Sequence, residues 1–191
     1  YGFILRERLY GTAADLRRLP LEQLRPVALS CLHPRRVPHV LGTEQEAIHL
    51  AGRWGADVEK ARRAALLHDC TKKLNLEEQL AVAERLQVPL DEMERREIKL
   101  LHAKTGAGIA EAVFGTDREI TEAIRWHTTG KGGMTLLEKV LYLADYIEPT
   151  RDFPGVEELR KRCYENLDAG LLLGLEMTIR EMEERGAPIH P

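Results

Sequence analysis

Apolar residues recur along this chain at intervals of three and four, the period of an α-helix, and hardly anywhere alternate as a strand requires. Over 43–54, Ala47, Ile48, Leu50, Ala51 and Trp54 share one face, and over 58–68, Val58, Ala61, Ala65 and Leu66 do the same. The same pattern predicts helices over 76–86, 91–101, 107–114, 117–127, 135–147, 156–165 and 167–184. Gly55-Ala56-Asp57, Val88-Pro89, Gly115-Thr116, 130–133 and 149–155 supply the breaks. Asp57, Asn75, Asp91, Asp117 and Thr135 each precede a helical pattern, where a side-chain oxygen can accept from a free backbone N–H. The expected fold is all-α, a helical bundle.

Some polar residues break the apolar faces in a way that needs an explanation. His68 and Asp69 close the run Ala64-Ala65-Leu66-Leu67, and an imidazole and a carboxylate in a buried segment are costly unless something binds them. Adjacent residues diverge by about 100° on a helix, so both reach one ion most easily at a helix end, where this pair lies. Asp145 borders the stripe Leu137, Val140, Leu141 and Ala144; a buried carboxylate there demands a cation, either a metal ion or a salt bridge to Lys139 or Arg151. His39, preceded by Arg36, completes a set of four ligands. Mixed imidazoles and carboxylates suit iron, manganese or zinc better than magnesium or calcium.

Further imidazoles lie downstream. His102 precedes Gly106-Ala107-Gly108, a segment able to approach a ligand closely for want of Cβ atoms, and His127 leads into Thr128-Thr129-Gly130-Lys131-Gly132-Gly133. That turn is no phosphate loop of the Gly-x-x-x-x-Gly-Lys-Ser/Thr type, because position 125 is Arg and position 132 is Gly. His102 and His127 could donate protons, hold phosphates or ligate a second metal. His33 and His49 fit the series less well, His49 reading as a helix-boundary residue; Trp54 and Trp126 read as packing residues.

Composition narrows the frame. With 191 residues, 43% of them hydrophobic, the chain has material for one sizeable core and one domain. A formal net charge of −3 argues against a nucleic-acid partner. Cys31, Cys70 and Cys163 are scattered and form no Cys-x-x-Cys pair, which suits a reduced interior. Cys70, next to Asp69, is either a reactive thiol beside the ion or a small buried residue. No apolar stretch approaches the roughly 20 residues of a membrane span and no leader pattern is visible, so a cytoplasmic location and no membrane partner are expected.

The first residues differ in character. Tyr1-Gly2-Phe3-Ile4-Leu5-Arg6-Glu7-Arg8-Leu9-Tyr10-Gly11 resembles the closing helix of bacterial nicotinate-nucleotide adenylyltransferases; otherwise it reads as a peripheral helix of the bundle. Residues 1–20 are accordingly expected to be an extension, the tail of an upstream domain with a covalent or functional link to such an enzyme, and 21–191 the main domain.

The order His39, His68-Asp69, Asp145 resembles the HD-domain metal-dependent phosphohydrolases, whose fold is a helical bundle. Longer strings narrow the resemblance: Leu66-Leu67-His68-Asp69-x-x-Lys72, Leu100-Leu101-His102, Ala123-Ile124-x-x-His127-Thr128-Thr129-Gly130, Met134-x-x-Leu137-Glu138-Lys139, and Ala144-Asp145-Tyr146-Ile147-Glu148-Pro149-x-Arg151-x-Phe153-Pro154-Gly155-Val156. They are similar to the YqeK branch, the bacterial symmetrical diadenosine tetraphosphate hydrolases. The resemblance implies cleavage of diadenosine tetraphosphate to two ADP at an iron centre, or one of manganese, cobalt or zinc, held by His39, His68, Asp69 and Asp145. It implies that Asp69, Lys72, His102 and His127 carry the chemistry. Arg36, Asp69, Lys72, His102, His127, Thr128 and Arg151 are then expected to face the nucleotide, with Ile189 and His190 of the tail near the base. A second metal at His102 and His127 and a homodimer stay open. Pro38 and Cys70-Thr71 depart from the family's pattern without removing a ligand. Alternative readings are another nucleotide substrate (a deoxynucleoside triphosphate, a cyclic dinucleotide or a guanosine alarmone) or a nucleotide-binding regulatory module.

Overall fold

The structure, a computed structural model, describes residues 15–190. The resemblance carried by Tyr1 to Gly11, and most of the 1–20 segment, lie outside them. Among the described residues the regular structure is helical: α1 (Leu21–Ser30), α2 (Val37–Trp54), α3 (Val58–Leu67), α4 (Leu76–Arg85), α5 (Glu92–Arg96), α6 (Ile98–Ala112), α7 (Arg118–Trp126), α8 (Leu136–Ile147), α9 (Val156–Glu165) and α10 (Leu167–Glu184), with 3₁₀ turns at Leu16–Arg18 and Pro34–Arg36. The all-α bundle expected from the apolar period is the fold observed.

All five expected caps hold. Asp57, Asn75, Asp91, Asp117 and Thr135 accept from the backbone N–H groups of Lys60, Glu78, Glu94, Ile120 and Glu138. At Asn75, Asp91 and Thr135 the glutamate three residues on returns the bond to the cap's own N–H, which satisfies a second orphan donor.

The helices differ from expectation in three places. No helix was expected over Leu21–Ser30, where Pro26 interrupts the pattern; the helix forms around it because Leu24, Val27 and Ala28 are buried. Helix α2 starts at Val37, six residues before the expected 43. Pro38 stands in its first turn, where a missing N–H costs nothing, so this departure from the family's pattern leaves His39 helical. The expected break after residue 101 lies instead at Glu97, which is extended (φ −102°, ψ 99°), and α6 runs unbroken through His102 and Gly106. The glycine serves close approach to backbone and not to a ligand: a Cβ at Gly106 would stand 3.1 Å from the His68 carbonyl oxygen.

The core forms where α2 packs on α3 and α8, with α7 against α3, α6 and α8. Val40, Ala47 and Leu50 of α2 meet Ala61, Ala65 and Leu66 of α3 and Val140, Leu141 and Leu143 of α8. Each fully buried leucine or valine stabilises this arrangement by about 1.5–3 kcal/mol. Leu19 is buried in the same core, and Arg63 donates to its carbonyl. The packing has one consequence for chemistry: the first turn of α2, the end of α3 and the last turn of α8 meet at one end of the bundle. Among the described residues no helix is long and apolar enough to cross a membrane.

Candidate metal centre

His39 leaves the first turn of α2, His68 is the C-cap of α3, Asp69 follows it, and Asp145 lies in the last turn of α8. Their ligand atoms converge. His39 Nε2 is 3.0 Å from Asp145 Oδ1 and 3.4 Å from His68 Nε2. His68 Nε2 is 3.5 Å from Asp69 Oδ2 and 3.8 Å from Asp145 Oδ1, and His39 Nε2 is 3.8 Å from Asp69 Oδ2. Two ligands at about 2.0–2.2 Å from one ion, subtending roughly 90–110°, stand about 3.0–3.5 Å apart; the His39–Asp145, His39–His68 and His68–Asp69 separations fall in that range, and the two at 3.8 Å are slightly wider.

The protonation states suit ligands as well. His68 Nδ1 donates to the Ala65 carbonyl at 2.7 Å, which leaves the Nε2 lone pair facing the cluster. Burial pushes His68, His102 and His127 down, most strongly His127, so all three are neutral at neutral pH. For Asp69, burial opposes ionisation, but the imidazoles of His68 and His102 and the Lys72 ammonium outweigh it and hold the carboxyl well below its usual range. Asp145 behaves likewise through His39, His68 and His127.

One atom tests the fit of a metal. Asp69 is 1% exposed, yet its Oδ1 has no hydrogen-bond partner. A buried, unsatisfied carboxylate oxygen is costly, and a cation removes the cost. His102 Nε2 lies 3.3 Å from this oxygen and 3.1 Å from His127 Nε2, and His127 Nδ1 donates to the Ile124 carbonyl at 2.7 Å. Asp69 therefore faces two ways, with Oδ2 toward His39 and His68 and Oδ1 toward His102 and His127.

Three cations surround the ligands. Arg36 donates to Asp69 Oδ2 through Nε at 2.9 Å and through Nη2. Arg151 donates to Asp145 Oδ1 at 2.8 Å, the salt bridge that was the alternative to a metal ion there, while Lys139 pairs with Asp168 instead. Lys72 Nζ lies 2.9 Å from His102 Nε2 and 3.9 Å from Asp69 Oδ1; burial lowers it, with Asp69 opposing. The side chains of Arg36, Lys72 and Arg151 remain 31%, 32% and 33% exposed, enough to meet a ligand from solvent. Thr128 Oγ1 is buried and has no partner. His190 lies at the start of α5, 2.8 Å from Asp91 Oδ2 and 3.6 Å from Glu94 Oε1, and Ile189 is exposed. Cys70 is a buried free thiol pushed well up by burial, which makes it unreactive.

Sequence reasoning assigned no role to Glu148, which is fully buried and 3.0 Å from His39 Nδ1. The signal was present: like His68-Asp69, it closes a buried helical run, after Ile147. Nor did it find the Thr71 hydroxyl, which donates to the His102 carbonyl at 3.0 Å and ties the turn after Asp69 to α6.

The HD domain family matches residues 36–150. The chain is 40% identical over 172 residues to the symmetrical bis(5'-nucleosyl)-tetraphosphatase of Bacillus subtilis, covering 87% of this chain and 92% of that protein. It superposes with a TM-score of 0.85 and 39% identity on the crystal structure of a "predicted HD superfamily hydrolase involved in NAD metabolism" from Clostridium acetobutylicum, covering 90% of this chain and 92% of that one. A more distant relative, the probable nicotinate-nucleotide adenylyltransferase/Ap4A hydrolase of Mycoplasma genitalium, is 29% identical over 79% of this chain and 44% of its own length.

Proposed function

This chain belongs to the HD-domain family, and we propose that it hydrolyses diadenosine tetraphosphate symmetrically, releasing two ADP, at the centre of His39, His68, Asp69 and Asp145. It is a hydrolase of phosphoric anhydride bonds. Beside its relatives' activity, one observation carries the reading: ligand atoms from three separate helix ends converge next to a buried carboxylate oxygen that no protein donor satisfies.

A metal ion in this set supplies an activated water and a counter-charge for phosphate oxygens. Iron is the ion we favour for the mixed imidazole–carboxylate donors, ahead of manganese, cobalt and zinc. The chain's own groups do the rest. Arg36 and Arg151 clamp Asp69 and Asp145, so each carboxylate keeps one orientation. The exposed parts of the same arginines, with Lys72, meet the phosphate oxygens and offset the charge that gathers there during phosphoryl transfer. Thr128 Oγ1 offers a substrate oxygen a hydrogen bond. His102 is the imidazole we assign to a phosphate oxygen, and with Asp69 Oδ1 the neutral His102 and His127 are also the donors for a second ion. Ile189 and His190 are the tail residues we assign to the adenine end.

Further proposals stand beside this one. A cytoplasmic location is supported by the absence of a membrane-length helix among the described residues and by the buried free thiols of Cys70 and Cys163. A link to an adenylyltransferase is supported by the Mycoplasma genitalium relative, which is named for both activities; the division expected at residues 20/21 cuts the core, because Leu19 is buried in it. The exposed Leu172 and Ile179 of α10 support a homodimer, which light scattering tests.

Incubation of the purified protein with diadenosine tetraphosphate is expected to yield ADP alone. ATP plus AMP, no turnover with iron, manganese or cobalt supplied, or a preference for deoxynucleoside triphosphates, cyclic dinucleotides or guanosine alarmones would reject the proposal.

A further inference from the structure

Three of the imidazoles at this site hold their Nδ1 in two different ways. His68 and His127 each donate to a carbonyl three residues back in the chain, Ala65 and Ile124. His39 Nδ1 instead meets a carboxylate from far along the chain, Glu148 Oε1 at 3.0 Å and 109 residues away. We propose that Glu148, seated in a notch that Gly42 leaves in α2, is the positioning residue for His39: it keeps the proton on Nδ1 and aims Nε2 at Asp145, His68 and Asp69. The inference rests on the metal centre proposed above.

Two sets of contacts support it. The first holds Glu148 itself. Its side chain is fully buried, Oε2 accepts from the Thr150 N–H at 2.6 Å, and Oε1 accepts from the Thr150 hydroxyl at 2.5 Å. The turn that carries it is pinned from α9, where Arg160 donates to the carbonyls of Ile147, Glu148 and Arg151, each at 2.9 Å. A carboxylate acceptor makes the imidazole more basic than a neutral carbonyl would, and so a better ligand.

The second is the space the carboxylate occupies. Gly42 lies three residues after His39 on α2, and a Cβ there would stand 2.5 Å from Glu148 Oε2 and 3.3 Å from Pro149 Cδ. Any side chain at 42 pushes the carboxylate off its seat. What it strikes first is the end of a flexible side chain, so the helix itself can accommodate the change.

That separation gives the test two arms, Glu148→Gln and Gly42→Ala, each compared with the unaltered chain. Cobalt(II) affinity is measured by chelator competition. The tautomer of His39 in metal-free protein is read from long-range ¹H–¹⁵N spectra, with the resonance assigned by its loss in His39→Gln. Melting reports on the fold. Both variants are expected to bind cobalt about 10–100-fold more weakly and to lose or shift the His39 Nδ1–H signal. Gly42→Ala is expected to melt within a few degrees of the unaltered protein, since the preference of a helix interior for alanine over glycine offsets part of the Glu148 contacts it displaces. A structural role alone would not weaken metal binding in a variant that melts normally. Cobalt affinity within twofold of the unaltered protein in both variants, or an unchanged His39 signal in Glu148→Gln, overturns the inference while leaving the centre intact. An unaltered protein that binds no cobalt overturns the centre, and the inference with it.

Discussion

Replacing Asp69 by Asn separates the proposed chemistry from the stability of the bundle. The substitution keeps the shape, removes the charge and turns one carboxylate oxygen into a donor. In the fold, Asp69 Oδ2 loses its charge against Arg36, and a broken, partly buried pair of this kind costs about 1–2 kcal/mol, at the low end because Arg36 is 31% exposed and solvent screens it. Oδ1 makes no hydrogen bond, and its charge faces only His102 at 3.3 Å and the part-exposed Lys72 at 3.9 Å. For a chain of this length about 2–4 °C accompany each kcal/mol, so the metal-free midpoint is expected to fall by roughly 2–8 °C. The centre suffers more. Losing a residue that merely orients a ligand costs about 10–100-fold in metal affinity, so losing a charged ligand is expected to cost more than about 100-fold. A water that a bound ion would make acidic enough to ionise near neutral pH is then no longer activated, and ADP release is expected to drop at least about 10³-fold. Elemental analysis, chromatography of released ADP and a thermal melt on the same preparation measure all three. A variant that keeps its full metal complement and its rate refutes the assignment; one that has simply unfolded shows a structural role instead.

Lys72→Ala is expected to lower kcat by roughly 10–10³-fold with bound metal unchanged, since Lys72 reaches substrate rather than the shell; loss of metal in that variant contradicts the role. His127→Gln is expected to remove one ion per chain and leave the His39 set loaded, and an unchanged metal ratio rejects the second ion. Chelation is expected to lower the melting temperature, by the equivalent of about 2.7 kcal/mol for an ion present at 100 times its Kd, and added manganese or cobalt to restore it. The metal-free protein is expected to lose stability on acidification. Burial holds His68, His102 and His127 below 6.5, so the unfolded chain binds more protons than the folded one as pH falls past that value; below about pH 4 the depressed Asp69 and Asp145 act in the same direction. Stability should be flat between about pH 7 and pH 8 and decline below about pH 6.5. A urea midpoint that rises from pH 7.5 to pH 5.5 contradicts this.

Much of this site was legible before any tertiary contact was known. His68 and Asp69 could be singled out because Ala64 to Leu67 had to be buried, and Asp145 because it bordered a stripe with the same property. The start of α2 was not legible, since its buried face carries His39, Thr43 and Glu44. Glu44 is tolerated there only because Arg25, from α1, approaches one oxygen at 2.6 Å and Arg62, from α3, the other at 3.1 Å. Gly106 read as a break or a ligand approach because nothing local announces that the His68 carbonyl will lie against it. His190 rests on Asp91, a pairing across 99 residues that no periodicity carries.

The amino-acid order by itself determined most of the helices, five of their caps and which side chains, His68, Asp69 and Asp145, are costly to bury alone. Helix period, capping and burial cost act over neighbours within about four residues. Only the packing of α2 on α3 and α8, with α6 and α7 alongside, decided which of those side chains share one site. It also decided that Asp69 faces two pairs of imidazoles, that arginines clamp both carboxylates, and that Glu148 reaches His39 through the space at Gly42. These are contacts between residues tens to more than a hundred positions apart, and their geometry follows from how the helices stack.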